Sequence, residues 1–163
     1  MSWKREASGL DPEAIHIDDV APHVCSVYAI DPQAEIHEFH WEEGVPDTVE
    51  FVESDVADLP LTDGALDTAF STMTYHELAS DNAVAELARV LRSGGRLVVF
   101  DWSADGDGET GTPTDERFGA HDAAEALMAA GFKIFCVDTR TETFALVALA
   151  PRGQFRSGLF TER

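Results

Sequence analysis

Residues 49–101 read VEFVESDVADLPLTDGALDTAFSTMTYHELASDNAVAELARVLRSGGRLVVFD, and this stretch leaves few folds open. It holds three apolar strand candidates, each followed by acidic or polar residues, with one amphipathic helix between the last two. The run Arg96–Phe100 is almost continuously apolar, as a strand buried on both faces must be. An open parallel α/β sheet meets these demands. In such a sheet, ligands sit at the carboxyl ends of the strands.

Each piece delivers polar groups to that edge. Val49–Val52 gives way to Glu53, Ser54 and Asp55. Leu66–Phe70 is entered through the turn residues Asp63 and Gly64 and is followed by Ser71, Thr72, Thr74, Tyr75 and His76. Asn82 reads as the cap of a helix with Val84, Leu87, Ala88 and Leu91 inward and Arg89 and Arg92 in its last turn. Ser93, Gly94 and Gly95 close it. The strand Arg96–Phe100 then brings Asp101 and Trp102 to the same edge. Further on, Asp122–Ala130 has helical spacing with Gly131 at its end, and Phe132–Asp138 and Thr143–Ala150 read as two strands.

These residues resemble the class I S-adenosylmethionine-dependent methyltransferases, in particular the small single-domain, methyltransferase type 11-like members. The matching pieces are VYAID at 27–31, ESDVADLPL at 53–61, LDTAFSTMTYHEL at 66–78, ELARVLRSGGRLVVFDW at 86–102, and GTPTDERF at 111–118 ahead of the helix ending AGF. The resemblance implies a Rossmann-like, mostly parallel sheet with helices on both faces and a C-terminal antiparallel hairpin. It implies one domain over residues 1–151, followed by a tail at 152–163. One part of the pattern is degenerate. The family carries a glycine-rich loop of the form acidic-x-Gly-x-Gly-x-Gly after its first strand, whereas residues 8–14 read SGLDPEA and keep only Gly9. Lys4, Arg5 and Glu6 also interrupt the strand ahead of it, so residues 1–19 form a poor first strand and cofactor loop. Two readings follow. Either the chain binds S-adenosylmethionine weakly, through its adenosine half, or it keeps the fold as a non-catalytic regulatory or partner subunit.

The resemblance assigns roles to individual residues, and each has a plainer counterpart. Asp31 would take the ribose hydroxyls, or simply form a turn before Pro32. Asp55 would accept from the adenine amino group, with Val56 at the ring edge and Leu59 over its face, or it caps a loop. Ser71 and Thr72 would line the sulfonium region, or satisfy loop backbone. His76 would be a general base, imidazole being suited to neutral pH, or a helix cap. Tyr75 would position the cationic sulfonium. Asp101 and Trp102 would form the substrate wall, with Trp102 either stacking on substrate or filling the end of the core.

Composition narrows the partners. The chain has 31 acidic and 11 basic residues among 163, a net charge of −20. Such a surface repels nucleic acid and anionic lipid and points to a small-molecule substrate. Lys4 and Lys133 are the only lysines, a pattern expected of a halophilic protein in a salt-rich cytoplasm. No apolar run approaches the roughly 20 residues that span a bilayer. Cys25 and Cys136 lie in apolar contexts and read as buried free thiols of a cytoplasmic protein. His37 and His40 share a helical face, but no third ligand stands at a diagnostic spacing, so no metal site is assigned. A poor first strand would leave a sheet edge open, to be covered by a second copy, another partner or the Arg/Phe tail.

Overall fold

The β-branched and aromatic runs become strands, and the alanine- and leucine-rich runs become helices. The structure is a computed structural model and describes residues 23–35 and 45–152. Its elements are β1 (Val27–Asp31), β2 (Val49–Glu53), β3 (Leu66–Thr72), α1 (Tyr75–Leu78), α2 (Asp81–Val90), β4 (Leu91–Trp102), α3 (Ala120–Ala129), β5 (Lys133–Thr139) and β6 (Thr143–Leu149). β1 and β2 pair in parallel, with Asp31 opposite Glu53. The other four strands form one sheet in the order β3-β4-β6-β5. β3 is parallel to β4, while β6 is antiparallel to both β4 and β5. The fold is therefore the expected α/β sheet with its closing antiparallel hairpin. Residues 1–19 with Gly9, His37 and His40, and the tail from 153 onward lie outside the described residues.

One sheet face carries the main core. Leu97 and Val99 on β4, and Phe144, Leu146 and Ala148 on β6, alternate inward and pack with Val84 and Leu87 of α2 and Ala123, Ala124 and Leu127 of α3. Leu127, Phe144 and Leu146 are fully buried, each worth roughly 2–3 kcal/mol relative to exposure. α3 ends in a Schellman arrangement, with Phe132 N–H donating to Leu127 O and Gly131 N–H to Met128 O. Gly131 takes φ +90° there, as its place past the helix end requires.

Four expectations change. Ser80, not Asn82, caps α2, its hydroxyl accepting from Ala83 N–H at 3.2 Å. The Gly pair does not cap the helix. α2 passes directly into β4, and Gly94 N–H donates to Ala150 O while Gly95 O accepts from Ala150 N–H, so the pair joins the sheet to the end of β6. A Cβ on Gly95 would lie 2.9 Å from Arg92 O and 3.0 Å from Asp67 O, so the close approach demands glycine. Cys25 and Cys136 are exposed, not buried. Cys136 sits on the outer strand β5, where the register skips Phe135 and places it opposite Val147, off the face that packs on the helices.

Candidate functional site

The carboxyl ends of β1 to β4 supply the candidate site. Asp31 ends β1, and one of its oxygens accepts from Gln33 N–H at 2.8 Å. Beyond β2, Asp55 accepts from Ala57 N–H at 2.8 Å, and Ser54 Oγ donates to Asp58 O at 2.7 Å. Asp55 is exposed and Asp31 partly so, which leaves both carboxylates able to accept from a ligand.

α2 holds the loop after β2 in place. Glu86 accepts from Leu59 N–H at 2.8 Å, and Arg89 donates to Glu86, to Leu59 O at 3.1 Å, to Leu61 O at 2.8 Å and to Asp63 at 2.8 Å. The hydrogen bond from Arg89, helped by that from Leu59, brings the Glu86 carboxyl down to about 2 against the desolvation of its site. Arg89 thus pins the loop that presents Asp55 and Val56, a task the helix-dipole reading of this residue missed. Leu59 is 4% exposed, so its side chain packs inside the protein.

β3 ends at a strained corner. Met73 adopts φ +55°, a left-handed value that a side chain of its kind rarely takes, and its N–H donates to Phe100 O at 2.8 Å. The chain then enters α1, where consecutive residues face different ways, so Tyr75 and His76 part. Tyr75 turns into the core, 1% exposed and edge-on to Phe118 at 5.9 Å between ring centroids. Burial, and then the Asp101 carboxylate, push its phenol up to about 12, so it stays neutral and cannot exchange protons near pH 7. Tyr75 therefore lies beneath the surface rather than open at the strand edge, and with Ala79, Ser80, Val84 and Phe118 it lines a cavity. Ser71 and Thr72 remain partly exposed at the strand end, with Ser71 Oγ 3.0 Å from Thr74 Oγ1.

His76 stays at the edge, and Asp101 lies behind it. The Asp101 carboxylate is 1% exposed and accepts from His76 N–H at 2.7 Å and Trp102 N–H at 2.7 Å. It lies 2.9 and 3.1 Å from His76 Nδ1. Asp101 is therefore an orienting group for His76, not the substrate wall expected of it, because its burial leaves no oxygen for a ligand to reach. His76 Nε2 lies 3.1 Å from Thr112 Oγ1 and 4.0 Å from the exposed Glu77 carboxylate.

The loop 103–119 covers this arrangement. Trp102 is 6% exposed and lies beneath Gly111, where a Cβ would come 2.3 Å from the indole ring. Gly111 has φ +82°, a second reason for glycine there. The Arg117 guanidinium lies 5.3 Å from the Trp102 ring centroid. It donates to Thr112 O at 2.6 Å, to Ser103 O at 3.2 Å, to Thr110 O and to Glu142 at 3.1 Å. Glu142 in turn accepts from Asp107 N–H at 2.8 Å and Gly108 N–H at 3.3 Å. Desolvation works against the Glu142 carboxylate, but these bonds, the one from Arg117 foremost, outweigh it and hold its carboxyl below the ordinary range. Thr112 and Arg117 lie within the GTPTDERF piece of the resemblance but received no role from it, and Glu142 is absent from the sequence reading. A lone buried arginine in an acidic loop has no periodic signature to find it by.

Among the described residues no group of three or more histidine, cysteine or acidic side chains is arranged to hold a metal ion, and no helix is long and apolar enough to cross a membrane.

A family profile described as "Methyltransferase domain" matches residues 13–99. No curated protein matches the chain. Among solved structures, it is similar to a SAM dependent methyltransferase from Aquifex aeolicus at 29% identity, covering 77% of this chain and 69% of that one, with a TM-score of 0.70. It is similar in fold to the [4+2]-cyclase SpnF at 24% identity, covering 82% of this chain and 69% of that one, with a TM-score of 0.67. A further likeness of fold is to the complex between the Haloferax volcanii Trm112 methyltransferase activator and the putative methyltransferase. There the identity is 17%, the coverage 80% of this chain and 74% of that one, and the TM-score 0.68.

Proposed function

Because the chain belongs to the methyltransferase-domain family and has the class I S-adenosylmethionine-dependent fold, we propose that it methylates a small molecule, with His76 as the general base. The observation that carries this reading is the imidazole clamped by buried Asp101 at the carboxyl end of β4, while Asp31 and Asp55 stand at the carboxyl end of the separate β1–β2 pair. The residues present fit the adenosine half of the cofactor. Two accessible carboxylates stand at the ends of β1 and β2, where a vicinal diol and an amino group can donate to them. Asp31 would hold the ribose, Asp55 and Val56 the adenine, and Ser71 and Thr72 would line the sulfonium region. When bound, S-adenosylmethionine supplies a methyl group already activated by its sulfonium, so the protein's work is alignment and removal of one proton. Gly9 is the only glycine of residues 8–14 to meet the methionine half, and weak binding is the expected consequence.

The test is a calorimetric titration of S-adenosylmethionine into the wild-type chain and Asp31→Ala. Loss of a charged acceptor to the ribose costs about 1.5–3 kcal/mol, which is roughly a 10- to 100-fold weaker Kd. Equal binding by the two proteins would remove Asp31 from the site.

A second reading rests on the sequence SGLDPEA, which lacks the bare backbone the methionine half needs. On it the chain keeps the fold and serves a partner, a reading in keeping with a fold neighbour solved as a complex with a methyltransferase activator. Absence of cofactor binding favours it.

The acidic surface belongs to the same proposal, as adaptation of a cytoplasmic protein to a salt-rich medium. A net charge of −20 on one domain repels itself in dilute buffer, and molar salt shortens the screening length to about 3 Å. The melting temperature should rise steeply from dilute buffer to molar potassium chloride. A flat or falling trend in calorimetric scans would point to a cationic partner instead.

A further inference from the structure

Neutral imidazole has one N–H and one lone pair, and the surroundings of His76 decide which nitrogen holds which. The Asp101 carboxylate already accepts from two backbone N–H groups, and an ionised carboxylate can only accept. Nδ1, 2.9 Å from Asp101 Oδ1, must therefore carry the proton. Nε2 is left as the lone pair, and the Thr112 hydroxyl 3.1 Å away must donate to it. The imidazole is 6% exposed, so Thr112 occupies the polar approach to its base nitrogen, and the other charged group near Nε2 is the exposed Glu77 carboxylate at 4.0 Å.

A hydroxyl donating to a basic nitrogen is the arrangement of an alcohol or phenol about to lose its proton. Resting on the methyltransferase reading above, we infer that Thr112 Oγ1 stands where the acceptor's hydroxyl must stand. The acceptor is an alcohol or phenol, and Thr112 yields its place when the acceptor enters. The acceptor oxygen forms its bond to the methyl carbon as the carbon–sulfur bond breaks, and its proton passes to His76 Nε2. A methyl ether, a neutral thioether and an imidazolium result, and the imidazolium returns its proton to water.

The experiment uses the full chain with 15N-labelled histidine imidazole in concentrated potassium chloride, with phenol as probe and anisole as its control without an O–H. Wild type, Thr112→Ala, Thr112→Val and Thr112→Ser are compared. In wild type the His76 resonances should report a proton on Nδ1 and an accepting Nε2. Phenol should shift Nε2 in the alanine and valine variants at roughly tenfold lower concentration than in wild type, about the worth of one competing hydrogen bond. The serine variant should behave as wild type, and anisole should shift nothing. A proton found on Nε2, equal phenol response in wild type and both non-hydroxyl variants, or an anisole shift equal to that of phenol overturns the inference. Calorimetry with S-adenosylmethionine on the same samples keeps the two readings apart. Cofactor binding with no phenol difference overturns the acceptor assignment alone, whereas no cofactor binding overturns the methyltransferase reading.

Discussion

Replacing Arg117 with alanine is expected to lower the melting temperature by about 10–15 °C, from a loss of roughly 3–5 kcal/mol. The side chain is fully buried, and its donors serve three carbonyls of the loop 103–119 as well as Glu142. Truncation orphans all of them, Ser103 O included, whose residue is 2% exposed. It also removes the cation from beside Trp102 and leaves the Glu142 carboxylate with only its two backbone N–H donors. Limited proteolysis should cut between residues 103 and 119 in the variant well before wild type. Glu142→Gln tests the apportioning. Glu142 is partly exposed, and its replacement keeps acceptor capacity for Asp107 and Gly108, so it should lower the melting temperature far less than the Arg117 variant does. A variant of Arg117 that melts like wild type would show that the loop is held by something other than this guanidinium.

Asp101→Asn is expected to act on stability and chemistry together. The carboxylate receives His76 N–H, Trp102 N–H and His76 Nδ1–H, and an amide must turn its own N–H2 toward at least one of these donors. Each charge-assisted bond lost costs about 1.5–3 kcal/mol, so a net loss near 3 kcal/mol is expected. The imidazole should also change tautomer, its Nδ1 becoming the acceptor of the new amide. Nε2 would then carry the proton and could not take another, and methyl transfer should fall by about 10²- to 10⁴-fold. Thermal melts and the 15N shifts of His76 read the two effects separately. An unchanged tautomer with lowered stability would make Asp101 a purely structural group.

Much of this architecture was written in the periodicity. VEFV, LDTAF and RLVVF are strands because β-branched and aromatic residues cluster there, and the acidic or polar residues after each run had nowhere to go but the carboxyl edge. Asp31, Asp55, Ser71 and His76 were legible for that reason. The partition of Tyr75 from His76 was not, because the two are adjacent on the short helix α1, whose successive side chains point about 100° apart, and nothing in the letters TMTYH announces that helix. The cover over His76 was likewise invisible. Thr112 is brought to the imidazole by a loop whose course is set by Arg117 and Glu142, and Glu142 comes from the turn between β5 and β6. Such a contact is tertiary, and no local spacing encodes it. The glycine pair misled for the converse reason. Gly94 and Gly95 follow a helical pattern as a cap would, yet the close approach of Asp67 O and Arg92 O to Gly95, and the bonds of both to Ala150, claim them for the sheet.

The central claim is that the carboxylates at the ends of β1 and β2 hold S-adenosylmethionine although residues 8–14 keep a single glycine. Titrating S-adenosylmethionine into the wild-type chain in concentrated potassium chloride tests it most directly. Saturable heat and a higher melting temperature with cofactor present are the expected result. No heat and no shift in melting temperature at millimolar cofactor would contradict it.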